Sequence, residues 1–338
     1  MKTIKNITNV IASISILILF IIDAQTAAAG VMGGIDMCLK AIFPSLFPFF
    51  LITSYLNSVI YGYRIPGIQF ITHRLRIPIG GEFILLLGLT GGYPVGAKLI
   101  ADLCSTKKIN KQTANILLGY CNNAGPAFIF GIAGAAFTSP MIPLVLWIIH
   151  IFSAIVTGFL LPKPELSEFS AVTKEKSSVA QSMKTSTSAC VTVCGWVIVF
   201  KILLSYLCTW FPNLFTSSAG IVLTGLLELS NGCIAATQIS NPAIRFILFA
   251  VFFAFGGFCV FLQTISVTES LGCGLYIHGK IIQTGISIIL SCVCSRFLFS
   301  DYKNYDFSIL IMIILSVTVI FFTVRHAKNC GNQINNHV

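Results

Sequence analysis

Runs of apolar residues long enough to cross a bilayer recur along this chain, near 7–24, 41–60, 141–161, 185–207, 243–266, 281–299 and 306–324. An eighth, 113–137, is interrupted in its middle. A hydrocarbon core about 30 Å thick takes roughly 20 helical residues to cross, and a single apolar segment satisfies its own backbone there only as a helix. The runs predict an all-α polytopic membrane protein with about eight transmembrane helices. Composition agrees, because 56% hydrophobic against 9% charged residues is far from the balance of a soluble domain. A net charge of +10 would suit nucleic acid, but the basic residues are scattered in short loops, not interleaved with aromatics on one surface. The expected partner is the lipid bilayer, and no nucleic acid.

Lys2 and Lys5 precede the first run, and "AQTAAAG" follows it, so 1–24 reads either as a cleavable signal or as a retained helix. Residues 25–40 look like a short interfacial helix, with Asp36 and Lys40 four apart. Together 1–40 form an N-terminal unit. The twelve cysteines include Cys190, Cys194, Cys208, Cys259, Cys292 and Cys294 in or beside apolar spans, where they read as small packing residues. No CxxC or HExxH motif suggests a metal site. No serine or cysteine sits beside a plausible base at matching depth, so an enzyme is not expected.

The stretch "LTGGYPVGAK", residues 89–98, breaks an apolar run. Arg64, Arg74 and Arg76 precede it and Lys107, Lys108 and Lys111 follow it, and both clusters should face the cytoplasm. A re-entrant hairpin over about 79–104, turning at Gly91 to Pro94, keeps them on one side. With a second hairpin over 219–240 dipping from outside, both termini fall in the cytoplasm. Fifteen Lys and Arg, Lys280 among them, are then inside, against Lys40, Arg245 and Lys303 outside. Weak echoes, "ITSYL" with "LLSYL" and "LTGG" with "LSNG", pair the two hairpins. The expected architecture is an inverted-topology repeat: units 41–161 and 185–299, a cytoplasmic linker 162–184, and a last helix and tail 300–338.

A second break, "GYCNNAGPAF" over 119–128, puts two asparagines in hydrocarbon. Unsatisfied polar groups there cost roughly several kcal/mol each, and Pro126 removes a backbone donor. The candidate substrate-binding residues of the first unit are therefore Thr90, Gly91, Gly92, Tyr93 and Pro94 at the tip, with Asn122, Asn123, Gly125 and Pro126 at the unwound partner. In the second unit they are Glu228, Ser230, Asn231 and Gly232 at the tip, with Gly256 and Gly257 in the facing span. Such a lining suits a neutral hydrogen-bonding solute or a hydrated cation. The alternative is a proline kink whose asparagines bond neighbouring helices. Glu228, an intramembrane acid, is either functional or a neutral group bonded to backbone. Lys98 and Lys201 are expected to snorkel, Glu82 to anchor at the inner interface, and His150 to pack between helices. No cofactor is expected beyond a coupling ion: a proton through Glu228, or sodium on carbonyls near Pro126.

"IFPSLFPFFLITSYL", "GLTGGYPVGAKLIADL" and "LLGYCNNAGPAFIFG" resemble the nucleoside-recognition, or Gate, family, and most closely its sporulation integral membrane proteins of endospore-forming bacteria. The likeness is specific over about 37–162 and looser over 185–299, and the sequence departs at Gly125, where a hydroxyl residue is usual. The resemblance implies a multi-pass inner-membrane protein with units similar to parts of concentrative nucleoside transporters, a small polar solute that is nucleoside-like, and a role in sporulation. The competing reading is a non-transporting scaffold for spore-envelope assembly, partnered by its own copies or by other envelope proteins.

Overall fold

The computed structural model describes residues 2–60, 64–164, 178–268, 271, 274–300 and 306–335, all built from helices and short connections. The first helices are α1 (Lys2–Ile22), α2 (Ala24–Met37) and, after a π-helical turn Cys38–Ile42, α3 (Phe43–Ile60). The short α4 (Gln69–Arg74) leads to α5 (Glu82–Thr90) and α6 (Val95–Ser105), which form the first hairpin. Next come α7 (Lys111–Leu118), α8 (Pro126–Ala136) and α9 (Met141–Leu160). Beyond the linker lie the long α10 (Val179–Trp210), a turn α11 (Pro212–Phe215), and α12 (Ser218–Leu227) with α13 (Leu229–Ala236) as a second hairpin. The chain ends with α14 (Pro242–Phe255), α15 (Gly257–Val267), α16 (Gly274–Leu298) and α17 (Asp306–Asn335).

The starts follow local chemistry. Asn110 caps α7 by accepting from the Thr113 N–H at 2.7 Å, Ser178 caps α10 and Ser217 caps α12. Each side-chain oxygen takes an N–H that has no intrahelical partner. Pro126 and Pro242 sit at the first turns of α8 and α14, where a missing donor does no harm.

The pattern of burial identifies the solvent. Ile148, Phe152, Val191, Phe321 and Phe322 are more than half exposed, while Asn122, Asn123, Ser153, Thr157, Gln283 and Ser287 are wholly buried. An apolar exterior over a polar-containing interior is the arrangement expected in hydrocarbon, where interhelical hydrogen bonds and small residues hold spans together. The Ser153 and Ser287 hydroxyls meet at 3.0 Å between α9 and α16.

Among the described residues five helices are long and apolar enough to cross a membrane: Met141–Leu160, Val179–Trp210, Pro242–Val267, Gly274–Leu298 and Ile311–Asn329. A sixth arises only if Ser13–Ile22 and Ala24–Ile42, bent by 99°, are counted as one span. The chain is thus a polytopic helical membrane protein, with fewer qualifying helices than the eight expected. The run at 113–137 falls into pieces of eight and eleven residues.

Residues 25–40 are helical, and α2 packs along α10, where a Cβ on Gly30 would lie 2.7 Å from the Ile202 Cα. The Asp36–Lys40 pair forms at 2.7 Å on the exposed side. Most of the predicted linker, 165–177, lies outside the described residues, and its end is already helix, since α10 starts at Val179. Glu82 is 4% exposed in the first turn of α5. It sits where the partial positive charge of a helix N-terminus favours an acid.

Candidate functional site

The first break runs from Gly119 to Gly125 between α7 and α8, and the first hairpin grips it. A Cβ on Gly88 or Gly96 would lie 2.4 or 1.9 Å from the Cys121 carbonyl oxygen, and one on Gly125 would come within 3.0 Å of the Gly92 Cα. Only glycine lets three backbone segments approach this closely. The turn itself has Gly92 at φ 82° and a cis Tyr93–Pro94 peptide.

The two asparagines are fully used. Asn122 accepts from the Ala97 N–H at 3.3 Å and donates to the Thr264 hydroxyl at 3.0 Å, tying the break to α6 and α15. Asn123 donates to the carbonyls of Gly88 and Tyr120 at 3.1 and 2.7 Å. Its Oδ1 accepts from Gln283 at 2.9 Å and from Lys280 Nζ at 3.3 Å. Lys280 also donates to Gln283 Oε1 at 2.8 Å and to the Tyr93 hydroxyl at 3.0 Å. His150 Nε2 accepts from the Ala124 N–H at 3.1 Å, satisfying a donor that the break leaves free.

The second break is much smaller. Gly256 and Gly257, at φ 82° and 80°, interrupt α14 and α15 without ending the span. Tyr93 reaches across to it, donating to the Phe253 carbonyl at 3.2 Å, and a Cβ on Gly256 would lie 3.3 Å from the Tyr93 ring. A Cβ on Gly257 would meet the last carbonyls of α12. The second hairpin turns on one residue, Glu228. Its carboxylate accepts from the backbone N–H of Ser230 at 3.0 Å and of Asn231 at 2.7 Å, and from Asn231 Nδ2 at 2.7 Å. Lys201 Nζ donates to Asn231 Oδ1 at 2.7 Å. The arms close on Gly225 and Gly232: a Cβ on Gly232 would lie 2.1 Å from the Gly225 Cα, and one on Gly225 would lie 2.2 Å from the Phe252 ring.

The two tips meet. Tyr93, Ala124, Gly125, Glu228, Ser230 and Gln263 line one cavity of about 40 Å³. A larger hollow of about 400 Å³ lies on the other side of the first tip, between α3, α6 and the start of α10, with Pro94, Lys98, Asp102 and Lys184 on its wall. Helix α10 orders these features: residues 181–192 border the return arm of the first hairpin, Val193 and Val197 border the small cavity, and Lys201 meets the second hairpin.

Of the sequence-predicted residues, Tyr93, Gly125, Glu228 and Ser230 share the cavity, and Pro94 borders the larger hollow. Gly91, Gly92, Pro126, Gly232, Gly256 and Gly257 shape the backbone around it. Thr90 turns its hydroxyl back to the Leu86 carbonyl at 2.8 Å. Asn122, Asn123 and Asn231 are spent on hydrogen bonds between elements. That outcome matches the structural alternative raised for the asparagines, while Glu228 acts here as the cap of α13.

Sequence reasoning missed Lys280, Gln283 and Thr264, and did not foresee the bond from Lys201 to Asn231. Lys280, counted among the inner loop charges, is 3% exposed inside α16. Its signal was available: a lysine followed three residues later by a glutamine, on one face of a helix long enough to span. Among the described residues no group of three or more His, Cys, Asp or Glu is placed to hold a metal.

Residues of this chain are similar to the sporulation integral membrane protein YlbJ of Bacillus subtilis, at 34% identity over 110 residues. The match takes in 31% of this chain and 26% of that protein, so it compares a segment and not two whole proteins. No protein-family profile matches the chain. No solved structure matches it.

Proposed function

We propose that this protein is a transporter-like membrane protein whose core is an inverted-topology repeat, with two re-entrant hairpins acting as opposed gates on a small polar solute. The observation that carries this reading is the cavity shared by the two hairpin turns and the first helix break. In it a tyrosine ring, a carboxylate, a serine and peptide groups converge, an apolar pocket with a few placed polar groups of the kind that binds neutral hydrogen-bonding solutes.

The arrangement is a closed one. Pockets for drug-sized molecules run to roughly 300–1,000 Å³, whereas a cavity of about 40 Å³ has room for a few water molecules at most. A nucleoside-sized solute enters only when a tip withdraws. The hollow of about 400 Å³ has the necessary size, and the Tyr93–Val95 turn, α3 and α10 contribute to the walls of both spaces. Movement of the first tip would join the two. On the positive-inside argument the hollow faces the cytoplasm, both termini are cytoplasmic, and the protein resides in the inner membrane. The segment shared with a sporulation integral membrane protein supports a role in spore formation.

The test is uptake by proteoliposomes of a panel of neutral polar solutes, nucleosides included, alongside thermal stabilisation of the purified protein. Ser230→Leu, which fills the cavity, should leave the protein folded and abolish uptake. Absence of both uptake and stabilisation across the panel, or undiminished uptake by Ser230→Leu, overturns the reading.

A further inference from the structure

Lys280 lies buried at the centre of the first break. Its Nζ lies among three oxygens supplied by three elements: the Tyr93 hydroxyl of the first tip, Asn123 Oδ1 of the first break, and Gln283 Oε1 of α16, at 3.0, 3.3 and 2.8 Å. Among the described residues it makes no ion pair, the two that form being Lys40–Asp36 and Lys98–Asp102. The titratable groups facing it are Tyr93, Tyr276, Cys121 and His150, none of them a carboxylate.

The hydrogen-bond pattern suits an ammonium nitrogen. Asn123 gives both of its N–H bonds to backbone carbonyls, so its oxygen is the atom turned to Lys280. Gln283 donates to Asn123 Oδ1 and to the His150 carbonyl, which turns its Oε1 the same way. The Tyr93 proton goes to the Phe253 carbonyl, leaving that hydroxyl oxygen to accept. Three acceptors call for three donors, and only the ammonium form of lysine has three. The faces of the Tyr93 and Tyr276 rings, with centroids 5.0 and 5.8 Å from Nζ, add attraction for a cation.

We propose that Lys280 is a tethered cation, its ammonium standing in the oxygen-lined site that a monovalent metal ion would otherwise occupy between the hairpin tip and the broken helix, so that closing this core needs no sodium. Hard oxygen donors drawn from a hydroxyl and two amide carbonyls are the ligand type an alkali ion takes. The inference builds on the hairpin-tip reading of the core, and its test does not use transport.

The full-length protein is melted in sodium chloride and in N-methylglucamine chloride of equal ionic strength. The two midpoints should agree to within about 1 °C, since a site already filled has no affinity to contribute. Lys280→Ala empties the site and strands its acceptors, and should lower the midpoint by roughly 5 °C or more. Sodium or ethylammonium should restore part of the loss saturably, and N-methylglucamine, too large to enter, should not. Saturable stabilisation of the unaltered protein by sodium overturns the proposal, as does a folded Lys280→Ala variant indifferent to both small cations. If that variant does not fold, the unaltered protein alone decides, because sodium dependence refutes the proposal and independence supports it. A protein that transports nothing would still give these curves, so the two readings fail separately.

Discussion

A hairpin followed by an interrupted helix occurs twice in this molecule, and the two interruptions are built differently. The first is seven residues of non-helical chain, Gly119 to Gly125, held open by groups that arrive from five other helices: Gly88 and Ala97 backbone from the two arms of the hairpin, His150 from α9, Thr264 from α15, and Lys280 with Gln283 from α16. The second is two glycines with positive φ in a helix that otherwise continues across the membrane. The turns differ in the opposite sense. The first hairpin changes direction over Gly91–Pro94, and the second on the single residue Glu228, which caps the helix after it. A wide break demands polar partners because every peptide group freed in hydrocarbon has to be met by protein. A narrow one demands only backbone freedom. The first half of the core is therefore a polar hub and the second a hinge of bare backbone.

That contrast predicts where the molecule is most sensitive. Asn123→Ala removes the acceptor shared by Lys280 and Gln283 and strands the carbonyls of Gly88 and Tyr120. The loss should be about 3–5 kcal/mol, the range for breaking a buried charged network by deleting one member. It would be read as the largest fall in melting midpoint among single polar-to-alanine changes in the core. A smaller effect than that of Glu228→Ala would break the distinction between hub and hinge.

Glu228→Ala tests the second turn. It removes acceptors from two backbone N–H groups and from Asn231 Nδ2, and with them the fixed partner through which Lys201 is held. Loss of a helix cap costs about 0.5–2 kcal/mol, so the expected fall is about 2 kcal/mol. Because the carboxylate also lines the shared cavity, Glu228→Gln should recover much of the stability while still changing solute binding. Equal stability of the alanine and glutamine variants would show that the cap contributes nothing.

The two halves were also unequally legible in the sequence. The first break announces itself with Asn-Asn and Gly-Pro inside an apolar run, and the first tip with Gly-Gly-Tyr-Pro, because residues that terminate helices carry their signal locally. The second hairpin was placed from charge asymmetry, and its turning residue, Glu228, was singled out as the acid in that hairpin. The hub was not legible. Lys280 lies 157 residues from Asn123 and 187 from Tyr93, and nothing near it in the chain says that its neighbours will be oxygens. A rule that assigns lysines to loops places it with the surface charges, and only packing of α16 against the break reverses that. Similarly, hydropathy finds the five long helices, and it marks 113–137 as interrupted without showing that the Gly119–Gly125 break leaves pieces of only eight and eleven residues. The role of α2 was missed for a related reason. Gly30 and Gly34 on one helical face are the signature of close packing between membrane helices, and α10 is what they pack against.

The smallest of these effects sharpens the hinge itself. Gly256 holds φ at 82°, a conformation that costs an L-residue about 1–2 kcal/mol, and an added Cβ would stand 3.3 Å from the Tyr93 ring. Gly256→Ala should thus destabilise by about 1–2 kcal/mol, less than either change above, and it should do so through Tyr93, the side chain that joins the second break to the first tip and to Lys280. Combining Gly256→Ala with Tyr93→Phe tests that route. If the ring is the obstacle, the pair stays additive, because phenylalanine keeps the ring and loses only the hydroxyl. If the hydroxyl's bond to the Phe253 carbonyl is what the positive-φ glycine preserves, the double variant loses less than the sum of the two single changes. Melting midpoints of the four proteins decide it. Sub-additivity would mean that the narrow break is kept narrow by the first hairpin, and that the hub governs the hinge.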